Sequence, residues 1–257
     1  MRNIASVDGT TIASDRSGAG PVVVMVGGVV GDRSQQAPVA DLLSARFTVY
    51  NYDRRGYGES GFTGPYSVER EAEDLAAVIQ EAGDAACVYA TSGCSVIALK
   101  AAASGVPITK LALWEAPFIV DDSRPPVRAD YRQQLEALLE QDRRGDMVAL
   151  FLTDAAALPA PLVEQLRQAP FWGAQEAHAH TLVYDAAMMG DYAIPATAAK
   201  ARVPTLVLDG GTTPWLTSAA DKLAGVLPDA RRQPLSGQQH NVEPAAIAPA
   251  LAEFFAA

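Results

Sequence analysis

Ser92 has the sequence surroundings of a nucleophile held on a sharp turn between a buried strand and a buried helix. Such a turn exposes its middle side chain above the sheet and requires small residues two positions before and after it. Ala90 and Cys94 occupy these positions, in place of the glycines of the usual G-x-S-x-G pattern. A nucleophile at Ser95 would bring Ile97 into a crowded position, so Ser92 is the better candidate. A serine that only caps the helix has the same surroundings, and the pentapeptide alone does not separate the two interpretations.

A serine hydroxyl becomes nucleophilic when a neighbouring base takes its proton, and three histidines are available for this role. His178 and His180 lie two residues apart in a helical region and fit surface or capping roles, since a single His-x-His is weak support for a metal site. His240 lies on a loop between the last strand pattern and the C-terminal helix pattern, where it can reach back over the sheet edge. We therefore predict that His240 is the base.

Apolar segments with the pattern of buried strands alternate with segments of helical periodicity. Strand patterns cover residues 22–26, 47–52, 85–90, 110–115, 205–208 and 231–235. At the N-terminus, two short strand patterns flank Asp8-Gly9, a pair suited to a type I′ turn, and predict a hairpin. The alternation predicts an α/β fold with a mostly parallel, doubly wound sheet and helices on both of its faces.

Residues 118–197 interrupt this alternation, because they contain several helical patterns and no strand pattern. We expect them to form a helical cap over the carboxyl edge of the sheet, inserted into a core formed by residues 1–117 and 198–257. One helix of this cap is predicted over residues 174–185. Trp172, Tyr184 and Met188 of this segment could line an apolar substrate pocket, although aromatic and methionine side chains at such spacing are more often helix-packing core.

The motifs occur in an order that resembles the α/β-hydrolase superfamily over nearly the whole chain. Residues 53–60 match the D-x-R-G-x-G-x-S loop, and residues 21–28 resemble the strand and oxyanion loop, with Val26 where a histidine is common. The turn at Ser92, the cap position and the late His240 complete the set. The resemblance implies the α/β-hydrolase fold, a helical lid and an oxyanion hole built from the backbone N–H groups of Gly28 and Gly93. No cofactor is suggested, because the glycine-rich loops lack both a P-loop lysine and a G-x-G-x-x-G that opens a helix. Asp53, Arg54 and Arg55 are interpreted as residues that pin their own loop.

The carboxylate that would orient His240 departs from the commonest pattern of the superfamily. Most members carry it on the loop after the penultimate strand, where this chain has Thr213, which cannot stabilise an imidazolium by charge. Some relatives carry it at the end of the preceding strand, where this chain has Glu115, and a charged residue that ends a buried strand needs a partner. We predict Glu115 as the acid and keep Asp209 as the alternative.

The composition restricts the class of partner. The 257 residues carry 20 basic and 30 acidic side chains, a net charge of −10, and no run of basic residues exceeds two. This argues against nucleic acid as a partner, and no apolar run is long enough to cross a bilayer. The N-terminus shows no secretory signal and the chain has only two cysteines, so a cytoplasmic protein is expected, with its oligomeric state open.

Ester or lactone hydrolysis of a small, largely apolar molecule is the function that this combination favours. The weakened turn residues and the displaced acid would also suit a cofactor-free lyase, cyclase or transacylase of secondary metabolism that uses the same site. A non-enzymatic small-molecule receptor that uses only the covered cleft is a third interpretation.

Overall fold

A computed structural model describes residues 1–257 and contains one eight-stranded sheet, with strand order β1-β2-β4-β3-β5-β6-β7-β8. β1 and β2 pair antiparallel, β2 joins β4 antiparallel, and every other pair is parallel. This is the predicted mostly parallel sheet with an N-terminal hairpin. The strands are β1 (Arg2–Ala5), β2 (Thr11–Ser17), β3 (Val22–Val26), β4 (Thr48–Tyr52), β5 (Ala86–Thr91), β6 (Ile108–Trp114), β7 (Thr205–Gly211) and β8 (Ala230–Gln238).

Helices cover both faces of the sheet because the central strands are apolar on both sides. Val24 faces the cluster formed with α2 and α3, whereas Val23 and Met25 face the cluster formed with α1 and α10. This two-sided burial explains why the strands are continuous apolar runs instead of alternating ones. The helices are α1 (Ala37–Leu43), α2 (Val68–Gly83), α3 (Ser95–Ala103), α4 (Tyr131–Glu140), α5 (Arg144–Leu150), α6 (Ala160–Leu166), α7 (Trp172–His178), α8 (Leu182–Met189), α9 (Pro214–Val226) and α10 (Pro244–Ala256).

The turn of the N-terminal hairpin differs from the prediction. Ser6 N–H donates to the Thr10 carbonyl at 2.8 Å and Gly9 N–H donates to the Ser6 carbonyl at 2.9 Å, so the loop is longer than two residues. Gly9 has φ +83°, but Asp8 is not among the residues with positive φ. A type I′ turn requires positive φ at both central residues, so that prediction is wrong. The Asp8 carboxylate instead accepts from Thr10 N–H at 3.0 Å and from Arg55.

The segment between β6 and β7 contains the helices α4 to α8 and no strand. The single helix predicted over residues 174–185 is wrong, because a 3₁₀ turn at Ala179–Thr181 separates α7 from α8. The Thr181 hydroxyl donates to the His178 carbonyl at 2.7 Å and satisfies a group that the interrupted helix leaves free. The division into a core and a cap at residues 118 and 197 stays a prediction. None of the helices is both long and apolar enough to cross a bilayer.

Candidate active site

Ser92 lies at the carboxyl edge of the sheet, on the turn that joins β5 to α3. Its backbone has φ +52°, a left-handed conformation that is uncommon for a residue with a side chain. Ala90 and Cys94, the two flanking residues, are completely buried. Ser95 Oγ is buried without a hydrogen-bond partner, which excludes Ser95 as an accessible nucleophile. The Cys94 thiol lies in the same crowded corner, and burial raises its pKa to about 12.

His240 connects the serine to a carboxylate. Its Nε2 lies 3.1 Å from Ser92 Oγ and its Nδ1 lies 2.8 Å from Glu115 Oε2. The carboxylate can only accept, so Nδ1 carries the proton and Nε2 is free to accept from the serine hydroxyl. The His240 carbonyl accepts from the Trp114 indole N–H at 2.8 Å, which fixes the backbone of a loop whose histidine side chain is 46% exposed.

Glu115 follows the last residue of β6 and is 1% exposed. It has φ +43°, and its backbone N–H donates to the Leu208 carbonyl of β7 at 2.9 Å. Its second carboxylate oxygen, Oε1, accepts from the backbone N–H of Gly210 at 3.0 Å. A Cβ at Gly210 would overlap the carbonyl oxygen of Gln238, so only glycine allows this approach. The sequence analysis did not predict the Gly210 N–H as a donor to Glu115. The available signal was the glycine pair Gly210-Gly211 near the end of a buried strand.

Asp209, the alternative acid, is completely buried and has other partners. Arg232 of β8 donates to both of its carboxylate oxygens, from Nε at 2.7 Å and from Nη2 at 3.0 Å. Gly211 N–H and Thr217 Oγ1 also donate to Oδ1. His240 is bonded to Glu115 and not to Asp209. Thr213, at the position where the superfamily pattern predicted an acid, caps the N-terminus of α9 through its backbone.

The two predicted oxyanion donors follow neighbouring strands, since β3 pairs with β5. Gly93 follows Ser92, and Gly28 lies after β3 with φ +93°. The loop after Gly28 is held by Asp53, which is 1% exposed and accepts from the backbone N–H of Arg33 at 2.7 Å. The Arg33 guanidinium pairs with the same carboxylate. The role of the Gly28 and Gly93 N–H groups as oxyanion donors stays a prediction.

The arginines that follow Asp53 are completely buried and paired. Arg55 donates to both oxygens of Asp74 on α2, each at 2.7 Å. Arg54 donates to Glu71 of α2 and to Asp185 of α8. These contacts are those expected of residues that fix their loop.

The three residues predicted to line the pocket have different surroundings. Trp172 is buried within the helical segment, and its indole N–H donates to Glu176 at 2.9 Å. Tyr184 stacks on both faces, against Phe62 at 4.8 Å and Tyr66 at 5.2 Å between ring centroids. Met188 is the one that approaches the serine turn, because its Cε would lie 3.2 Å from a Cβ placed on Gly93.

The remaining histidines have separate partners. His178 Nδ1 lies 3.0 Å from the Ala174 carbonyl, and His180 Nε2 lies 3.2 Å from the Gly56 carbonyl. No group of three or more His, Cys, Asp and Glu side chains is placed to hold a metal ion.

Comparison with known proteins places the chain in a family. Residues 23–250 match the profile of the Alpha/beta hydrolase family. A crystal structure of an alpha/beta hydrolase from Sphaerobacter thermophilus is 53% identical, covers 99% of this chain and 100% of its own, and superposes with a TM-score of 0.94.

More distant structures share the fold alone. A thermophilic esterase from Thermogutta terrifontis is 20% identical, with 98% of this chain and 97% of its own covered and a TM-score of 0.74. A deformylase from Pseudomonas putida is 17% identical, with 97% and 99% covered and a TM-score of 0.66. An esterase and a deformylase catalyse different reactions on one fold, so any narrower assignment must be argued from the site itself.

Proposed function

The chain belongs to the alpha/beta hydrolase family, and from this premise we propose that it cleaves a carboxylic ester or lactone of a small, largely apolar molecule through an acyl-enzyme. The observation that carries the proposal is the continuous hydrogen-bonded chain Ser92–His240–Glu115. A serine, a neutral imidazole and a buried carboxylate in this order are the components of nucleophilic acyl transfer.

In the first half of the reaction, Ser92 Oγ bonds to the substrate carbonyl carbon while His240 Nε2 takes the hydroxyl proton. The carbonyl electron pair moves to oxygen, and the Glu115 carboxylate stabilises the imidazolium across the Nδ1 bond. Collapse of the tetrahedral intermediate breaks the bond to the leaving oxygen, which takes the proton from Nε2. An alcohol departs and an acyl-serine remains.

In the second half, His240 takes a proton from water, and the hydroxide oxygen bonds to the acyl carbon. The bond to Ser92 Oγ then breaks, and the serine recovers its proton from Nε2. Gly28 and Gly93 N–H groups are the proposed donors to the oxyanion in both halves, and one such donor contributes about 3 to 4 kcal/mol to transition-state stabilisation. The buried methionine beside Gly93 supports an apolar substrate.

The test combines covalent labelling with turnover. Wild type, Ser92→Ala and Ser95→Ala are incubated with a fluorophosphonate probe and, separately, with p-nitrophenyl acetate and butyrate. We expect labelling and turnover in wild type and in Ser95→Ala, the neighbouring buried serine, and neither in Ser92→Ala.

Two results would overturn the proposal. Absence of labelling and of turnover in wild type would show that Ser92 is not an activated nucleophile. Labelling without turnover of any ester or lactone would favour the lyase, cyclase, transacylase or receptor interpretations of the same site.

A further inference from the structure

We infer that Met188 and Met189 of α8 form a fixed wall that restricts the substrate to short acyl chains, and that the buried Arg54–Asp185 ion pair holds this wall in place. The inference rests on the proposed ester hydrolysis and names the substrate class for that site: esters of short carboxylic acids, with no such limit on the alcohol.

The two methionines contact the serine turn directly. A Cβ placed on Gly93 would lie 3.2 Å from Met188 Cε and 3.2 Å from Met189 Sδ. A methyl group added to Gly93 would therefore be closer to both side chains than ordinary van der Waals contact allows, so α8 leaves little room above Gly93. Both side chains are buried, at 6% and 7% exposure. An acyl chain that passes over Gly93 therefore meets sulfur and methyl groups immediately.

The wall concerns the acyl chain and not the alcohol because of the position of the base. The leaving oxygen must reach His240 Nε2 to receive its proton, so the alcohol lies on the histidine side of the carbonyl carbon. His240 lies on the loop before α10. Its side chain is 46% exposed, so this side of the site is open to water. In the proposed arrangement the acyl substituent extends away from His240, over Gly93, where Met188 and Met189 are the nearest side chains.

A buried ion pair fixes α8 one turn before the methionines. Asp185 Oδ1 accepts from Arg54 Nη1 at 2.8 Å and from the Tyr57 hydroxyl at 2.7 Å. Arg54 is completely buried and also binds Glu71 of α2 through Nε, at 2.9 Å. Removing one partner of such a buried set leaves an unpaired charge, so α8 resists displacement.

Two further contacts immobilise the same helix. Tyr184 is stacked between Phe62 and Tyr66, with interplanar angles of 11° and 10°. Arg54 Nη2 lies 3.6 Å from Met188 Sδ, so the guanidinium that anchors Asp185 also contacts the wall. Methionine is ordinarily an adaptable side chain that fills irregular space. Here the contacts of Tyr184, Asp185 and Met188 hold α8 in place, which restricts the movement of the wall.

The experiment measures kcat/KM for p-nitrophenyl acetate, butyrate, hexanoate and octanoate in wild type, Met188→Ala and Met189→Ala. Wild type should decline steeply beyond butyrate. Each methionine variant should raise the octanoate-to-acetate ratio by about tenfold or more, because a few methylenes in an apolar pocket discriminate by that amount. Met147→Ala is the matched control, since it removes an equally buried methionine from α5 and should keep the wild-type ratio.

The ion pair is tested with Asp185→Asn and Tyr57→Phe, of which the second keeps all charges. Both should relax the chain-length preference in the same direction as the methionine variants, by a smaller factor. Asp74→Asn is the matched control, because it alters the neighbouring buried Asp74–Arg55 pair, which does not contact α8. An equal relaxation in Asp74→Asn would show a general loss of packing and would overturn the assignment to Asp185.

Fluorophosphonate labelling of Ser92 separates failure of this inference from failure of the proposed function. If wild type is labelled and hydrolyses esters but the methionine variants keep its acyl-chain profile, the wall does not set specificity. If the methionine variants instead change the ratio of kcat/KM values among acetate esters of different alcohols, the wall lies on the alcohol side and the inference is wrong.

Discussion

The carboxyl ends of β6 and β7 each carry a buried acidic residue, and the two residues have opposite surroundings. Asp209 at the end of β7 is completely buried and bound by a guanidinium through both of its oxygens. Glu115, just beyond β6, is equally buried but has no arginine or lysine partner. Its oxygens accept from one backbone N–H and from His240.

This difference separates a structural carboxylate from one that can respond to a reaction. A charge already neutralised by arginine gains little when a second cation forms nearby. A buried carboxylate with only neutral donors is stabilised strongly when its histidine becomes an imidazolium. The partner of a buried acid, more than its position in the chain, therefore indicates its role.

Glu115→Gln is the largest expected effect. The glutamine oxygen can still accept from Gly210, but its NH₂ group would then face His240 Nδ1 and favour the tautomer that cannot accept from Ser92. We expect kcat for p-nitrophenyl acetate to fall about 10³- to 10⁴-fold with an unchanged circular dichroism spectrum. Activity within threefold of wild type would show that Glu115 does not stabilise the His240 imidazolium during the reaction.

Gly210→Ala tests whether the second hydrogen bond of Glu115 matters. The added methyl group overlaps the Gln238 carbonyl and must displace the donor from the carboxylate. We expect about 10- to 100-fold lower kcat/KM, since displacements near 1 Å in a catalytic set have effects of this size. Gly225→Ala, which adds the same methyl group where no atom lies within 4 Å, is the control and should retain wild-type activity.

Asp209→Asn should lower stability and leave activity nearly unchanged, whereas Glu115→Gln should lower activity and leave the fold unchanged. The substitution removes the charge that faces Arg232 and should lower the free energy of unfolding by about 2 kcal/mol. Loss of a fully buried ion pair would cost more, but the Arg232 side chain reaches water. Urea unfolding measures this loss. Steady-state kinetics at a temperature where the variant is folded should give kcat/KM within about threefold of wild type. A loss comparable with that of Glu115→Gln would assign the acid to Asp209.

Cys94 is buried like Glu115 and Asp209, but it has no acid or base role in the proposed reaction. Burial raises the pKa of its thiol to about 12, so the thiol stays protonated at pH 8. Iodoacetamide should leave Cys94 unmodified in the native protein and modify it after unfolding in guanidinium chloride, as measured by mass spectrometry. Rapid alkylation of the native protein would show that the corner beneath Ser92 opens.

Features that depend on local pattern could be predicted from the sequence, and the roles of the site residues stay predictions. Val22–Val26 was predicted with its observed bounds because a strand buried on both faces is continuously apolar. Ser92 was selected because only its frame has small flanking residues. Glu115 was preferred to Asp209 because a charged residue at a strand end needs a partner, and His240 was the available one.

Other features depend on contacts between distant segments and left no local signal. Arg232 lies 23 residues beyond Asp209, and nothing in their spacing indicates that neighbouring strands bring them together. The break between α7 and α8 has no glycine or proline at residues 179–181, and the threonine hydroxyl that bonds the preceding turn there is not a specific signal in the sequence. The hairpin turn was misassigned because Asp-Gly also occurs in longer turns, where glycine alone needs the left-handed region.

The backbone at Ser92 and Glu115 has a thermodynamic consequence of its own. Both residues have positive φ, and both bear side chains for which this region is disfavoured by about 1 kcal/mol or more. Glycine at either position would remove this backbone cost, together with the side chain proposed to act there. At these two positions the backbone conformation lowers the stability of the fold, and the side chains that it positions are those proposed to carry the reaction.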